Sequence, residues 1–81
     1  MDKAIVTVNV DESDIRKDLE IPIDISVKEV SAALSKALRL EEKNINISGY
    51  YLKTENPTCF LKGNDILKKF NICDGTKITL L

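Results

Sequence analysis

The strongest nucleophiles and softest metal ligands in this sequence are its two cysteines, Cys59 and Cys73. They form no C-x-x-C motif, and the chain contains no histidine. The common zinc spacings, histidine-based triads and histidine acid–base roles are therefore excluded. A free cysteine is usually a buried packing residue, and a reactive thiol needs a basic environment that the sequence does not identify. We expect two reduced packing residues, while the reactivity of either thiol stays open.

The remaining candidates for chemistry are carboxylates and glycines. The acidic side chains are scattered over polar stretches such as Asp11–Asp14, where solvation explains them, and the three glycines form no phosphate-binding loop. A domain this small with one helix has little room for a ligand pocket. We therefore expect no catalytic residue, no cofactor and no metal site, and we predict that the protein is not an enzyme.

Charge and hydropathy narrow the class of partner. The net charge is −1, from 12 basic and 13 acidic residues, which provides no basic field for nucleic acid. No apolar run is long enough to span a bilayer, and Met1-Asp2-Lys3 does not begin a signal-peptide pattern. We expect a cytoplasmic protein without nucleic acid or direct membrane insertion, folded as one domain over residues 1–81.

The N-terminal part of the sequence predicts a β-hairpin. Residues 4–10 alternate between apolar and polar positions, and residues 17–23 resume the alternation after a polar turn. Leu19, Ile21 and Ile23 fall on the inward side of the second strand. Pro22 falls on the polar side and cannot donate to a ladder, so the second strand should be a sheet edge.

One amphipathic helix follows the hairpin. Ser26 and Glu29 have the spacing of a capping box, which predicts a helix beginning at Val27 and extending to Leu40. The predicted apolar face, which should cover one side of the sheet, consists of Val30, Ala33, Leu34, Ala37 and Leu38. Ser31 is predicted on the opposite, polar face.

The middle of the chain predicts two further strands. Residues 45–53 form the third strand region, in which Gly49 indicates a bulge or a bend. That irregularity leaves open which of Tyr50 and Tyr51 faces solvent. Residues 54–57 should form a turn, and residues 58–61 a short fourth strand paired with the third.

The C-terminal stretch predicts the centre of the sheet. Residues 66–71 read as a tight helical turn, Asp74-Gly75 as a reversal, and residues 76–81 as a final strand beside the first. Ile78 and Leu80 should face the helix, with Phe70 and Ile72 closing one end of the core.

This order of elements resembles the ubiquitin-like β-grasp fold. Two local motifs make the resemblance more specific. Ser26–Val30 looks like the start of the helix in that family. The last turn and strand of the family look like Leu67-x-x-Phe70-Asn71-Ile72 followed by Thr76-x-Ile78-x-Leu80. The resemblance implies an α+β protein with a mixed sheet of four to five strands packed on one amphipathic helix. It also implies a left-handed conformation at Asn71, which asparagine tolerates well.

The chain also resembles a narrower group, the YukD/EsaB family associated with type VII secretion in Gram-positive bacteria. The likeness lies in the total length, in Phe60-Leu61-Lys62-Gly63, in Ile72-x-Asp74-Gly75 and in the end at Leu81. Because the sequence stops without a Gly-Gly tail, we expect no conjugation. The resemblance implies an accessory or regulatory protein that acts by binding a protein partner, such as the cytoplasmic regions of membrane-embedded secretion subunits.

Two other functions stay open at the level of sequence. One is a generic β-grasp adaptor or regulatory module unconnected with secretion, and the other is a covalent modifier or sulfur carrier. If the protein binds through a sheet face, the candidate surface contains Tyr50, Tyr51, Lys77 and Leu81. The partner's identity and the oligomeric state are not predicted.

Overall fold

The first and last strands lie side by side in the middle of a five-stranded mixed sheet, in a computed structural model that describes residues 2–81. The elements in chain order are β1 (Lys3–Val10), β2 (Arg16–Pro22), α1 (Val27–Ala37), β3 (Tyr51–Glu55), β4 (Cys59–Lys62), a 3-10 turn (Leu67–Phe70) and β5 (Lys77–Leu80). The strand order is β2-β1-β5-β3-β4, and only the β1–β5 pair is parallel. This is the predicted α+β class with a β-grasp sheet.

The N-terminal hairpin follows the alternation of its residues. Val6 pairs with Leu19 and Ala4 with Ile21, so the inward side chains of β1 and β2 lie on one face of the sheet. β2 is an edge strand and ends at Pro22, which confirms the prediction from proline. The hairpin is thereby placed at the sheet edge opposite β4.

Helix α1 begins at the predicted capping box. The Ser26 Oγ accepts from the Glu29 N–H at 3.3 Å, and the Glu29 Oε1 accepts from the Ser26 N–H at 3.2 Å. The helix ends at Ala37, shorter than predicted, and residues 38–44 form consecutive turns. Arg39 in those turns has a positive φ of 54°. The fully buried Leu40 follows it and anchors the turn in the core.

The buried face of α1 is rotated from the predicted one. Ser31 is buried, whereas Ala33 and Ala37 are exposed, so the prediction was wrong for all three side chains. At 100° per residue, Ser31 borders the stripe of large apolar residues on the side of Val27 and Leu38, and the two alanines lie beyond Val30 at its other border. The bulk of the branched side chains sets the orientation of the helix. That stripe consists of Val27, Val30, Leu34 and Leu38.

Strand β3 begins later than the sequence predicts. Residues 45–48 lie outside any strand, and a bend at Gly49, where φ is +70°, precedes β3 at Tyr51. The strand continues through Thr54 and Glu55, which had been predicted as turn. The bend resets the alternation and explains the irregular pattern of apolar residues before it. Leu52 and Thr54 consequently face the core.

The C-terminal stretch has the predicted geometry. Asn71 ends the 3-10 turn in the left-handed conformation, with φ 61° and ψ 30°. Ile78 and Leu80 are fully buried on the inner face of the sheet, Ile72 is buried, and Phe70 packs against the core from a half-buried position. One hydrophobic core therefore lies between α1 and the sheet.

Candidate protein-binding surface

Within residues 2–81, three of the four exposed large hydrophobic side chains lie together at the β3–β4 edge of the sheet. Tyr50, Tyr51 and Phe60 are 40%, 39% and 59% exposed, and the fourth, Ile5, lies on β1. The Tyr51 and Phe60 rings stack with centroids 5.5 Å apart and planes at 30°. The Tyr50 and Tyr51 rings meet edge to face at 4.9 Å and 80°. We call Tyr50, Tyr51 and Phe60 the aromatic cluster.

Strand alternation places two of these rings on the outer face. Leu52 and Leu61 pair across β3 and β4 with both side chains fully buried, so their neighbours Tyr51 and Phe60 face away from the helix. Tyr51 pairs with Lys62 and Phe60 pairs with Lys53, which makes the two aromatic residues diagonal neighbours. Diagonal contacts of this kind are within reach of aromatic side chains.

Gly63 determines where the third ring lies. A Cβ at Gly63 would meet the Tyr50 Cε1 at 2.5 Å, a separation that no real Cβ contact allows. The Gly63 N–H also donates to the Tyr50 carbonyl at 2.7 Å. The absent side chain is therefore what allows the Tyr50 ring to rest on the backbone beyond β4.

Lysine side chains surround the aromatic cluster. The Lys28 Nζ, from the first turn of α1, lies 5.7 Å from the centroid of the Tyr50 ring, within cation–π range. Lys62 and Lys53 are the cross-strand partners of Tyr51 and Phe60 and share their outer face. Within residues 2–81 the ion pairs are Lys3–Glu20 and Lys68–Asp2. None of the three lysines around the cluster is thus paired with a carboxylate.

The backbone of the β4 edge is partly occupied at this place. The Lys62 N–H donates to the Asp65 Oδ2 at 2.9 Å, and the Lys62 carbonyl accepts from the Asp65 N–H at 2.8 Å. These bonds engage both main-chain groups of Lys62, which blunts the edge against strand addition.

The structure brings some of the predicted surface residues together and separates others. Tyr50 and Tyr51 are both exposed, which answers the question that the sequence left open. Lys77 is exposed on the same outer face but pairs with Glu55, at the far end of β3 from Tyr51. Leu81 is half-buried, and its main-chain oxygen accepts from the Ser48 N–H and Oγ. The sequence reasoning missed Phe60, although alternation within the predicted fourth strand would have pointed it outward.

The two cysteines differ in their surroundings. Cys59 is half-buried and packs against the core, as expected, whereas the expectation of a packing residue was wrong for Cys73, which is exposed. Both thiols are free, and the Cys73 Sγ lies 3.7 Å from the Thr76 Oγ. The structural reason is that Cys73 belongs to the tight turn before β5, where the buried Thr76 occupies the interior.

Concave space away from the aromatic cluster is found at the end of α1. An open depression of about 390 Å³ at the end of α1 is lined by Ser35, Glu41, Asn44, Ile45, Asn46 and Ile47. It shares no residue with the aromatic cluster. Residues 2–81 contain no group of three or more His, Cys, Asp or Glu side chains placed to hold a metal ion. Over the same residues no helix has the length and apolarity to cross a membrane.

Comparison with known families identifies the relatives of this chain. A family model described as "WXG100 protein secretion system (Wss), protein YukD" matches residues 4–80. The chain belongs to the YukD family. It is thus a ubiquitin-like protein of a secretion-associated family whose members are non-catalytic accessory proteins in general. No relative was found among proteins of curated function.

Solved structures show the same fold at low sequence identity. Ubiquitin of Caldiarchaeum subterraneum matches with a TM-score of 0.66 at 16% identity, covering 98% of this chain and 91% of that one. Tubulin-binding cofactor B of Trypanosoma brucei matches with a TM-score of 0.67 at 11% identity, covering 98% and 93%. The C-terminal ubiquitin-like domain of mouse tubulin-specific chaperone e gives 0.65 at 15%, covering 96% and 84%. These likenesses establish the ubiquitin-like β-grasp fold of this YukD family member.

Proposed function

We propose that this protein is a non-enzymatic component of a WXG100-type (type VII) secretion system and that it acts by binding another protein. The observation that carries the proposal is the family match over residues 4–80. The exposed aromatic cluster adds physical support, because tyrosine and phenylalanine are enriched where proteins bind one another. Residues 1–81 would work as one ubiquitin-like domain.

The proposed binding surface is the β3–β4 edge of the sheet together with the outer face beside it. The sequence-based candidates Tyr50 and Tyr51 form its centre together with Phe60, and Lys77 and Leu81 would lie at its border. Aromatic side chains provide large contact areas at a low entropic cost of ordering, so a few of them can dominate an interface. The protein therefore needs no pocket in order to recognise a partner.

The proposed place of action is the cytoplasm of a Gram-positive bacterium, where the partner would be a cytoplasmic region of a membrane-embedded secretion subunit. Two free cysteines, one of them exposed, suit a reducing compartment, because disulfides persist mainly in oxidising ones. A nucleic-acid partner is not proposed, since the net charge of −1 gives no basic field.

The proposed mode of action is non-covalent. The sequence contains no Gly-Gly pair of the kind that conjugated ubiquitin-like proteins present for activation. Intact-mass analysis of the protein purified from its host, with activating enzymes present, should give the free chain alone. An adduct of higher mass would instead indicate a modifier or sulfur carrier.

The experiment that tests the proposal is a gene deletion followed by an assay of export of the system's small helical substrates. We expect export to fall and to recover when the wild-type gene is returned. Unchanged export in the deletion strain, under conditions where the system is active, would contradict the proposal and leave a generic β-grasp adaptor as the better reading. Genes for a membrane-anchored ATPase and small secreted helical proteins beside this gene would support the secretion role.

A further inference from the structure

We infer that the aromatic cluster and its three lysines bind an acidic segment of the partner protein that carries large apolar side chains. This inference deepens the proposed function, on which it rests for the identity of the partner as a protein. Its chemistry is argued from the contacts around Tyr50, Tyr51 and Phe60.

Each exposed ring packs against another part of the protein. Tyr51 is stacked on Phe60 at 5.5 Å, and Tyr50 meets Tyr51 edge to face while lying over Gly63. A ring that packs against a neighbour has less side-chain entropy to lose on binding than an isolated one. The aromatic cluster therefore offers a flat apolar surface that apolar side chains of a partner can cover.

Three lysines lie around the aromatic cluster. Lys28 lies over the Tyr50 ring, and Lys53 and Lys62 stand beside Phe60 and Tyr51 on the outer face. No ion pair in the described part of the chain involves any of these lysines. A partner segment with carboxylates beside its apolar residues would complement the three ammonium groups, and a basic segment would be repelled.

Carboxylates also lie near these lysines, but none of them forms an ion pair with Lys28, Lys53 or Lys62 within residues 2–81. The Asp65 Oδ2 accepts from the Lys62 backbone N–H, and Glu55 lies at the other end of β3, opposite Lys77. The exposed acidic residues Asp11, Glu12 and Asp14 belong to the β1–β2 turn, two strands away from β3 in the sheet. The three ammonium groups beside the rings therefore remain available to carboxylates of a partner.

The test uses purified protein and synthetic peptides observed by two-dimensional NMR. The probe alternates glutamate with leucine and phenylalanine, and its twin has lysine in place of every glutamate. We expect the acidic peptide to shift the amide signals of Tyr50, Tyr51 and Phe60, and the basic peptide to leave them unchanged. Changing Tyr51 and Phe60 together to serine should weaken binding at least about ten-fold, whereas Ile5→Ser, an equally exposed position on β1, should leave it unchanged.

The lysines give a second, independent readout. The affinity for the acidic peptide should fall by about two- to five-fold in each of the single variants Lys28→Gln, Lys53→Gln and Lys62→Gln. Added salt should lower the affinity further. Equal binding of the basic twin, signal shifts confined to the β1–β2 turn, or no response to the serine changes would overturn the inference. So would equal binding of an oligouridylate at the aromatic cluster, or self-association of the free protein through it.

The outcomes separate this inference from the proposed function. Peptide binding at the cluster needs no secretion system, so a failed peptide experiment removes the chemistry assigned to the surface and leaves the secretion role intact. Unchanged export after gene deletion removes the secretion role and leaves the peptide result standing.

Discussion

Replacing the buried Ser31 with alanine should make this protein more stable. The Ser31 side chain is 1% exposed on the inner face of α1, and its Oγ has no hydrogen-bond partner within residues 2–81. A hydroxyl buried in this way loses its bonds to water without gaining others, at a cost of about 1–3 kcal/mol. Alanine removes that unpaired group and is also a better helix former than serine.

The expected gain follows from these two effects. Removal of the unpaired hydroxyl should contribute about 1 kcal/mol after the small void that it leaves is counted, and helix propensity about 0.5 kcal/mol. An entropy of unfolding of about 2.1 cal/mol/K per residue corresponds to about 170 cal/mol/K for 81 residues. Each kcal/mol therefore moves Tm by about 6 °C, so Ser31→Ala should raise it by roughly 6–9 °C.

The assay is thermal unfolding followed by circular dichroism, with urea unfolding at 25 °C as a check. Ser35→Ala is the matched control, because Ser35 belongs to the same helix but is only half-buried and reports the propensity effect alone. The difference between the two variants isolates the buried hydroxyl. A Ser31→Ala protein that is no more stable than Ser35→Ala would refute this reasoning and indicate that Ser31 is satisfied in solution.

Three further predictions concern other contacts. Gly63→Ala should lower the free energy of unfolding by about 1–3 kcal/mol. Because part of that cost comes from collision of the new Cβ with the Tyr50 ring, the same change should cost about 1 kcal/mol less in a Tyr50→Ala background. Thr76→Val should cost about 1–3 kcal/mol in urea unfolding, since the buried Thr76 Oγ donates to one backbone carbonyl at 2.6 Å and accepts from a backbone N–H at 3.1 Å. The hydrogen bond and charge of the Lys68 ammonium hold the pKa of the Asp2 carboxyl below its ordinary value of 3.8, and Lys68→Met should raise it toward that value in an NMR titration.

Each of these has a result that would contradict it. An equal cost of Gly63→Ala with and without the Tyr50 ring would mean that the glycine serves backbone conformation alone. Thr79→Val, on the outer face of β5, is the control for Thr76 and should be nearly neutral; equal costs would remove the role of the buried bonds. Because the Asp2 pKa is lowered by folding, the pair stabilises the protein above about pH 4 and its contribution is lost as pH falls through the folded pKa. An Asp2 titration that Lys68→Met leaves unchanged would contradict that coupling.

Much of the fold was predictable because local signals agreed with the tertiary structure. Alternation in residues 4–10, the edge position of Pro22, the Ser26–Glu29 capping box and the left-handed Asn71 all depend on a few neighbouring residues. The central position of the last strand followed from the order of the elements. Each of these local features is determined by residues of a single element or turn, so it can be predicted without knowledge of the tertiary contacts.

The wrong predictions concern features that packing between elements determines, namely the orientation of α1 and the start of β3. The inner face of α1 is set by the fit of its branched residues against the sheet, and this buries Ser31 and exposes Ala33. The start of β3 is set by the bend at Gly49, whose alternatives of bulge and bend the sequence could not separate. Polarity is a property of single residues and periodicity one of short sequence segments. Neither therefore predicts contacts between separate elements.

The candidate surface was predicted in part for the same reason. Tyr50 and Tyr51 stood out as a pair, but the inclusion of Phe60 depends on the β3–β4 register, which pairs residues distant in sequence. Lys28 approaches Tyr50 from another element altogether. A surface assembled from three elements becomes visible only after the chain is folded.

The most direct test of the whole account is rescue of substrate export in a strain that lacks this gene. We predict that the wild-type protein and Ile5→Ser restore export, whereas the Tyr51→Ser and Phe60→Ser double variant, folded as judged by circular dichroism, does not. Full rescue by the double variant would contradict the role of the aromatic cluster, and export that never falls in the deletion strain would contradict the role in secretion.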